Sequence, residues 1–261
     1  MRADQGVNHG KCRSVVTVTE DDFLGGRLRI TQPAMGFRAG VDAVLLAAAC
    51  PATSGARVLE LGCGVGTALL CVGTRVPALH LTGVEVQPEY ADLARQNAAA
   101  NGLPATIVTA DLAALPADLR QMQFDCVLMN PPYYDRARST AADDAGRDRA
   151  LAGARMEDWI ATAARRLAPR GQLTLIQRIT SLPEVLAATQ GKLGSISILP
   201  LAARTGRTPE LFLMRATKGG RADFRLLAAR IMHSGAHHTQ GADYTDEIEG
   251  VLRRGDALDW R

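Results

Sequence analysis

The chain has 261 residues with a formal net charge of +3, and 47% of its residues are hydrophobic. A chain of this length suits one large domain or one domain with appendages, and its apolar content is enough for a full core. The 30 basic residues only narrowly outnumber the 27 acidic ones. This balance argues against a nucleic-acid footprint spread over the whole molecule, so any such surface has to be a local patch.

Several absences indicate the compartment. Residues 1–5 include no apolar core of a signal peptide, and no apolar run reaches the ~18 residues of a membrane span. The cysteines are odd in number and form no CxxC pair: Cys12, Cys50, Cys63, Cys71 and Cys126. We therefore expect a soluble cytoplasmic protein with buried free thiols and no membrane partner.

Strand and helix patterns alternate along most of the chain. Short strands at 16–19 and 27–31 precede a helix at 41–50. Such alternation is typical of an α/β protein with a mostly parallel sheet and helices on both faces. The tail contains a helix-like run at 224–233. Further strands are predicted at 57–61, 81–86, 105–109, 124–129, 172–177, 195–199 and 210–215.

These patterns divide the chain into four parts. Residues 1–15 are polar and expected to be poorly ordered, and residues 16–50 form strands and a helix packed on the core. Residues 51–217 form the main α/β core, and residues 218–261 form an extension of unclear role. Within the core, residues 135–155 are a polar stretch rich in arginine; a loop of this length is usually a lid, a binding loop or disordered.

A glycine-rich turn, Glu60-Leu61-Gly62-Cys63-Gly64-Val65-Gly66, follows the predicted strand at 57–61. Glycine lets the backbone approach a ligand closely, and a turn at the carboxyl end of a strand lies where doubly wound sheets bind ligands. Glu85 ends the next strand, where an acid can accept both hydroxyls of a ribose. The pattern predicts a nucleoside site. A purely structural turn with a solvated Glu85 is the alternative.

The glycine spacing favours one cofactor. A pyrophosphate-binding GxGxxG fingerprint needs glycine at position 67, where the chain has Thr67. A methyl donor has no phosphate, and the ammonium of its amino-acid part suits Glu60 and backbone carbonyls near Gly62. Asp111, after the strand at 105–109, can accept from the adenine amino group. We therefore expect S-adenosylmethionine rather than a dinucleotide.

The tetrapeptide Asn130-Pro131-Pro132-Tyr133 directly follows the apolar run at 124–129. An amine conjugated to a ring is a poor nucleophile, and two acceptors on its N–H groups would direct its lone pair at a methyl group. The Asn130 side-chain oxygen and the Pro131 carbonyl can be these acceptors, and Tyr133 or Tyr134 can stack on the base. A plain strand-end turn is the alternative. Together the two motifs predict methyl transfer to nitrogen.

With these motifs the chain resembles the class I Rossmann-like S-adenosylmethionine-dependent methyltransferases. More narrowly, it resembles the bacterial tRNA adenine-N6 methyltransferases that act beside the anticodon of a valine tRNA. The resemblance extends over roughly residues 22–215 and is carried by the segments 36–46, 59–66, 83–89 and 130–134. It implies a doubly wound, mostly parallel seven-stranded sheet whose last strand is antiparallel, and tRNA as partner. Glu60 departs from the aspartate common in the wider class.

The resemblance also implies site residues. Arg38, Gly40 and Asp42 are implied to line the donor site. The expected catalytic residues are Asn130, Pro131, Pro132 and Tyr133. The remaining expected donor contacts lie at strand ends: Glu60, Gly62, Cys63, Gly64, Gly66, Glu85, Val86, Asp111, Leu112 and Asn130.

Basic residues outside these motifs are candidates for gripping tRNA phosphates. The plain alternative for the arginines between the last two strands is a solvated hairpin. The histidines of the tail lack cysteine or carboxylate partners at ligand spacing, so no metal site is predicted. The predicted substrate contacts are Tyr133, Tyr134, Arg136, Arg138, Arg204 and Arg207.

Other functions remain open from the sequence. Release-factor methyltransferases share Asn-Pro-Pro-Tyr and act on a glutamine amide, but they usually have a helical domain before the fold. Here about sixty residues precede the glycine turn, and they are partly strand-like. A DNA adenine or a small-molecule amine could undergo the same chemistry. A non-catalytic RNA-binding module is the alternative outside enzymes, and the protein could be a monomer or a homodimer.

Overall fold

An antiparallel hairpin opens the part of the chain that the computed structural model describes, which comprises residues 17–132, 154–235 and 243–260. Its strands are β1 (Val18–Phe23) and β2 (Leu28–Pro33), joined by a short 3-10 segment at Leu24–Gly26. Residues 1–15, expected to be poorly ordered, lie outside the described residues.

Helices and strands then alternate, as the hydrophobic patterns predict. The first helix, α1 (Val41–Ala49), is apolar almost throughout and is buried from Ala43 onward. Before the first gap follow β3 (Arg57–Leu61), α2 (Thr67–Arg75), β4 (His80–Glu85), α3 (Pro88–Ala100), β5 (Ala105–Thr109), α4 (Ala117–Gln121) and β6 (Phe124–Met129). After it follow α5 (Met156–Arg166), β7 (Leu167–Arg178), α6 (Leu182–Thr189), β8 (Gly194–Ala202), β9 (Leu211–Thr217), β10 (Arg225–Leu226), β11 (Arg230–Ile231) and α7 (Asp246–Glu249).

In the described part of the chain the large sheet contains nine strands: eight follow the order β10-β8-β9-β7-β6-β3-β4-β5, and β11 also pairs with β8. The strands β3 to β7 run parallel, whereas β9 is antiparallel to both β7 and β8. The seven strands β3 to β9 therefore confirm the predicted doubly wound sheet with its antiparallel last strand. The hairpin β1–β2 confirms the strand-containing N-terminal extension.

Two very short strands lengthen this sheet beyond the predicted seven. Both β10 and β11 pair parallel with β8, so the interpretation of residues 224–233 as a helix-like run is wrong. The run contains good helix formers, but β8 offers them unpaired N–H and C=O groups along its outer edge. The pairing continues past each strand, since Leu227 donates to the Ile198 carbonyl and Met232 to the Ala202 carbonyl, both at 2.9 Å.

Hydrophobic side chains fill both faces of the large sheet. On one face α1, α2 and α3 share a buried cluster with Leu28 of the hairpin and Ile248 of the tail. On the other face Trp159 and Ile160 of α5 pack in a second cluster with Val185 of α6. Within the described ranges no helix has the length and apolar character needed to cross a membrane.

Two asparagine side chains, Asn97 in α3 and Asn101 at its C-cap, attach the hairpin to the core. The Asn97 amide accepts from the Thr31 N–H at 2.8 Å and donates to the Thr31 carbonyl at 3.0 Å. One turn later, Asn101 bonds Arg29 in the same way at 2.9 and 2.7 Å. The two side chains thus take the place of a neighbouring strand beside β2. Asn97 also donates to the Val65 carbonyl at 3.0 Å, which connects the hairpin to the glycine turn.

The tail after Lys218 returns to the hairpin and α1. Helix α7 runs on into a π-helical segment at Gly250–Arg254, where the Arg254 carbonyl accepts from the Arg27 guanidinium at 2.6 Å. Further on, the Leu258 N–H donates to the Ala48 carbonyl at 3.0 Å. The described residues of the tail are therefore part of the packed molecule rather than a loose appendage.

Candidate active site

Four parallel strands bring their carboxyl ends to one edge of the large sheet. Because β3, β4, β5 and β6 run in the same direction, the turns that follow them meet there. A cleft of about 170 Å³ lies at this edge. The glycine turn and the Asn-Pro-Pro turn therefore share one cleft. It is lined by Phe37, Gly62, Gly64, Val84, Glu85, Val86, Gln87, Tyr90, Ala110, Asp111, Leu112, Asn130, Pro132, Ala154 and Trp159.

The turn after β3 requires glycine for two reasons. Gly62, Gly64 and Gly66 have φ angles of 66°, 54° and 88°, a region that side-chain-bearing residues rarely adopt. In addition, a Cβ atom at Gly62 would lie 2.5 Å from the ring of Trp159, which packs against the turn. Gly66 precedes α2 as its N-cap residue. The turn thus presents bare backbone to the cleft at Gly62 and Gly64.

Glu85 ends β4 and presents its carboxylate to the cleft. One of its oxygens accepts from the Gly64 N–H and the other from the Gln87 N–H, both at 2.9 Å. These two bonds hold the carboxylate against the glycine turn. Each oxygen retains a further lone pair for a ligand hydroxyl.

Glu60 lies behind the turn, with only 3% of its surface exposed. Its Oε2 atom accepts from the Leu69 N–H at 2.8 Å. Burial, and to a lesser degree the charge of Glu85, raises the pKa of this carboxyl to about 8, although the Leu69 bond acts in the opposite direction. The buried hydroxyl of Thr67, at the start of α2, has no hydrogen-bond partner among the described residues. The region therefore keeps bonding capacity for a polar or cationic ligand group.

Cys63 packs inside the same turn. It is buried, and burial raises the pKa of its thiol well above the usual value. Its N–H donates to the Val84 carbonyl at 2.9 Å, which fastens the turn to β4. Cys63 therefore contributes backbone and apolar packing to the site rather than a reactive thiolate.

The turns after β4 and β5 supply a mixed surface. Asp111 is exposed, and its Oδ1 atom accepts from the Ala113 N–H at 2.8 Å, capping the 3-10 segment Leu112–Ala114. Val86, which is 46% exposed, and Leu112 line the same cleft. Two apolar side chains and a carboxylate are the lining that suits a flat heteroaromatic ring bearing an amino group.

The turn after β6 places Asn130 and Pro132 on the cleft wall, with Pro131 buried between them in sequence. The Pro131 carbonyl accepts from Nε2 of Gln177, in β7, at 3.0 Å. The oxygen expected to face an amine is thus already bonded on one side, and a carbonyl keeps a second lone pair. The other predicted residues of this region lie outside the described ones: Tyr133, Tyr134, Arg136 and Arg138.

The segment before α1 reaches the cleft through Phe37 rather than Arg38. The Arg38 guanidinium donates to the Asp21 carboxylate of β1 at 2.6 Å, so it braces the segment against the hairpin. Gly40 is the N-cap of α1 and Asp42 lies in its first turn. Among the described residues, the cleft lining includes Phe37 but not these three neighbours.

The loop between β8 and β9 separates its two arginines. Arg207 is exposed, whereas Arg204 forms an ion pair with Asp243 in which both side chains are mostly buried. Asp243 also pairs with the His233 ring at 2.7 Å. Arg204 therefore anchors the loop to the tail. Over the three described ranges, no group of three or more histidine, cysteine and acidic residues is placed to hold a metal ion.

Sequence reasoning missed Trp159 and Gln177 as residues of the site. Trp159 is 8% exposed, packs in the second cluster and also lines the cleft. Gln177 is the last residue of the predicted strand at 172–177. The neighbouring sequence does not indicate its role, because its partner Pro131 lies 46 residues away. Phe37 could have been found from the sequence, since it belongs to the segment 36–46 that carries the family resemblance. That resemblance implied only its neighbours Arg38, Gly40 and Asp42 as site residues.

The strand order, the antiparallel β9 and the cleft at the glycine turn define the class I methyltransferase fold. The family model of the methyltransferase small domain matches residues 31–197, and the chain belongs to this family. It is an S-adenosylmethionine-dependent methyltransferase.

Relatives with named activities modify different substrates. A tRNA1(Val) (adenine(37)-N6)-methyltransferase from Aeromonas hydrophila is 28% identical over 76% of this chain and 84% of its own length. The corresponding protein from Porphyromonas gingivalis is 34% identical over 60% of this chain and 64% of its own length. A release factor glutamine methyltransferase from Deinococcus radiodurans is 35% identical, but over only 46% of this chain and 44% of its own length.

Solved structures support the fold. A predicted O-methyltransferase from Agrobacterium tumefaciens superposes with a TM-score of 0.67 at 29% identity, covering 83% of this chain and 98% of its own. A 16S rRNA N2 methyltransferase from Thermus thermophilus, in complex with AdoMet and guanosine, has a TM-score of 0.52 at 21% identity, covering 79% of this chain and 51% of its own.

The residues of the cleft fit S-adenosylmethionine. The backbone is bare at Gly62, where a Cβ atom would clash with the ring of Trp159, and at Gly64, whose φ of 54° disfavours residues with a side chain. Carboxylates stand at Glu85 and Asp111 for hydroxyl and amino groups. Polar capacity for an ammonium group near the turn is supplied by Glu60 and by the Thr67 hydroxyl, which lacks a partner within the described ranges.

Proposed function

We propose that the protein transfers a methyl group to the exocyclic amino group of an adenine in tRNA. The observation that carries the proposal is the common cleft of the glycine turn and the turn at Asn130. A donor site alone would be compatible with any acceptor atom. The amide of Asn130 beside it, followed by the Pro131 carbonyl, favours a planar amine with two N–H groups.

The acceptor turn acts by positioning. When bound, S-adenosylmethionine supplies an electrophilic methyl group carried on a positively charged sulfur. In our proposal the Asn130 side-chain oxygen and the Pro131 carbonyl accept the two N–H groups of the amine. This draws the nitrogen lone pair out of conjugation and aims it at the methyl carbon. The sulfur–carbon bond of the donor would break as the nitrogen–carbon bond forms, and the sulfur would leave as a neutral thioether. The proton would leave the nitrogen for solvent afterwards, so no strong general base is required.

The donor contacts follow from the polar groups of the cleft. We assign the ribose hydroxyls to Glu85. The adenine of the donor is assigned to Val86 and Leu112, with its amino group on Asp111. The amino-acid part of the donor is assigned to the region of Glu60, Gly62, Cys63, Gly64 and Gly66. We add Phe37, which lines the cleft, to the expected donor-site residues Arg38, Gly40 and Asp42.

The nucleic-acid side of the proposal depends on residues around the cleft mouth. We assign base stacking to Tyr133 and Tyr134 and phosphate contacts to Arg136, Arg138 and Arg207. Arg204 keeps a supporting role, because its guanidinium is engaged with Asp243. Two relatives named as tRNA adenine-N6 methyltransferases support tRNA as the substrate, which would place the activity in the cytoplasm.

The test is methyl transfer from labelled donor to tRNA isolated from cells that lack the gene. We expect the wild type to form N6-methyladenosine, identified by mass spectrometry of the digested tRNA. Asn130→Ala should lower kcat by about 100-fold or more, the size of effect typical for losing one aligned polar contact to the reacting group. Its donor affinity, measured by calorimetry, should stay within about threefold of the wild type, a free-energy difference under 1 kcal/mol.

Asn101→Ala provides a matched control, because Asn101 bonds the hairpin backbone and lies outside the cleft lining of the described chain. It should keep wild-type kcat. No incorporation by the wild type, or an Asn130→Ala variant as active as the wild type, would contradict the proposal.

A second candidate is methylation of a glutamine side-chain amide in a protein. The release-factor relative favours it, since it is 35% identical over the 127 aligned residues. A glutamine amide also presents two N–H groups to the same acceptors. Release factor offered under the conditions of the tRNA assay separates the two: label in protein and none in tRNA would replace the adenine proposal with this one.

A further inference from the structure

Gln177 is buried beside the acceptor turn, with 1% of its surface exposed. A buried carboxamide is unfavourable unless its polar atoms are bonded. Both ends of this one are: Nε2 donates to the Pro131 carbonyl at 3.0 Å, and Oε1 accepts from the Arg178 N–H at 2.9 Å. Only this orientation of the amide suits both partners, because a carbonyl needs a donor and an N–H needs an acceptor.

The contact replaces a missing part of the sheet. Strands β6 and β7 pair in register as far as Met129 and Leu175. Beyond that point the β6 side continues into Pro131 and Pro132, which have no N–H to extend the ladder. The Gln177 side chain therefore binds the turn to β7 where backbone pairing stops.

We propose that Gln177 is a positioning residue for methyl transfer: it holds the Pro131 carbonyl so that its second lone pair faces the amine of the substrate. The inference rests on the proposed role of the acceptor turn, but it applies equally to an adenine and to a glutamine amide. The Gln177 bond occupies one side of the oxygen and fixes the peptide plane between Pro131 and Pro132. Asn130 directly precedes Pro131, so the contact also restrains the backbone next to the other proposed acceptor.

The test compares Gln177→Met with Ile176→Val. Methionine keeps the length and volume of the side chain but cannot donate to Pro131. Ile176 is the preceding residue of β7, fully buried on its opposite face, and makes a control for loss of stability alone. We expect Gln177→Met to lower kcat by about 10- to 100-fold, since small misplacements of reacting groups have effects of this size. The donor affinity of Gln177→Met should stay within about twofold of the wild type, a free-energy difference under 0.5 kcal/mol. Ile176→Val should keep wild-type kcat, although its melting temperature should be similar to that of Gln177→Met.

A second measurement tests the contact without turnover. Pro131 and Pro132 are the only adjacent prolines of the chain. In protein labelled with ¹³C,¹⁵N-proline, the Pro131 carbonyl is therefore the only one coupled to a labelled nitrogen of the next residue. Its resonance should move upfield in Gln177→Met, as expected for a lost hydrogen bond, and stay in place in Ile176→Val.

The outcomes separate the two proposals. An active wild type together with an unchanged kcat in Gln177→Met overturns the positioning role. A Pro131 resonance that is the same in the wild type and in Gln177→Met overturns it as well, whether or not turnover is seen. A wild type that methylates neither tRNA nor release factor overturns the proposed function, even if the carbonyl resonance shows that the contact exists.

Discussion

Burial of an ionisable acid beside the glycine turn costs free energy. Glu60 is buried, and its Oε2 atom accepts a hydrogen bond from the Leu69 N–H. Burial favours the neutral form of the carboxyl, which is why its pKa rises to about 8. Perturbed acids of this kind are concentrated at functional sites, because the charge becomes favourable once a ligand of opposite sign arrives.

The raised pKa of Glu60 predicts a pH dependence of stability. The carboxyl titrates near 4.5 when unfolded and near 8 when folded. Between these values the unfolded chain releases a proton that the folded chain keeps, so the free energy of unfolding falls as pH rises, by up to about 1.4 kcal/mol per pH unit. Glu60→Gln removes this contribution. Denaturant unfolding of both proteins at pH 5, 6.5 and 8 should show the wild type losing stability relative to Glu60→Gln by about 3–4 kcal/mol in total. If the free energies of unfolding of the two proteins changed in parallel with pH, the raised pKa of Glu60 would be contradicted.

Individual residues of the candidate site could be predicted where they belong to a short motif at the end of a predicted strand. The glycines of the turn, Glu85 and Asn130 fall into this group, since each lies at a predicted strand end. Gln177 and Trp159 could not be predicted. Their roles depend on partners brought near by the parallel order of β3, β6 and β7 and by the packing of α5, and no short segment of sequence encodes either arrangement.

At the scale of elements, the joint between the hairpin and the core depends on α3. Asn97 makes two bonds to Thr31 and one to the Val65 carbonyl, and it is 1% exposed. Asn101 makes two equivalent bonds to Arg29 in a more exposed position. An asparagine within α3 and another at its C-cap therefore make equivalent contacts with β2, but only Asn97 reaches the glycine turn.

Asn97→Ala should destabilise the protein and weaken donor binding together. It leaves buried backbone groups of Thr31 and Val65 unbonded, at a cost of about 2–4 kcal/mol. The freed Val65 peptide loosens the turn, so donor affinity should fall by roughly tenfold, or 1.4 kcal/mol. Denaturant unfolding and calorimetry with the donor measure the two effects.

Asn101→Ala is the control variant for the measurements of stability and donor affinity on Asn97→Ala. Water can replace its exposed bonds, so we expect a loss of about 1 kcal/mol or less and an unchanged donor affinity. Equal donor affinities in the two variants would show that the hairpin joint and the glycine turn are independent.

The elements themselves were largely predictable, and the exceptions have a physical cause. Buried parallel strands are continuous apolar runs, which is why β3 to β7 stand out in the sequence. Residues 224–233 have helical propensity but form β10 and β11, because the free edge of β8 offers backbone partners that local sequence does not reveal. Pairing with β8 therefore outweighs the helix propensity of these residues at the edge of the sheet.

At the scale of the whole molecule, one buried cluster joins parts that the sequence separates. It contains Leu28 of the hairpin, Leu46 of α1, Leu70 of α2 and, from the tail, Ile248 and Val251. The hairpin, the α/β core and the tail therefore share apolar surface. Parts that share a core unfold together, so a single unfolding transition is expected for the described chain.

Ile248→Ala tests this cooperativity from the tail. The side chain is fully buried, so its removal should cost about 2–5 kcal/mol, the usual range for truncating a buried isoleucine. The neighbouring Glu249 is exposed on the same short helix, and Glu249→Ala should change stability by about 0.5 kcal/mol or less. If the tail belongs to the common core, Ile248→Ala shifts the whole transition to lower denaturant, with the same slope and the same midpoint by tryptophan fluorescence and by circular dichroism. Tryptophan fluorescence reports on both regions, because Trp159 lies in the second cluster and Trp260 of the tail packs against the first. Two separated transitions in the variant would show that the tail folds as an independent unit.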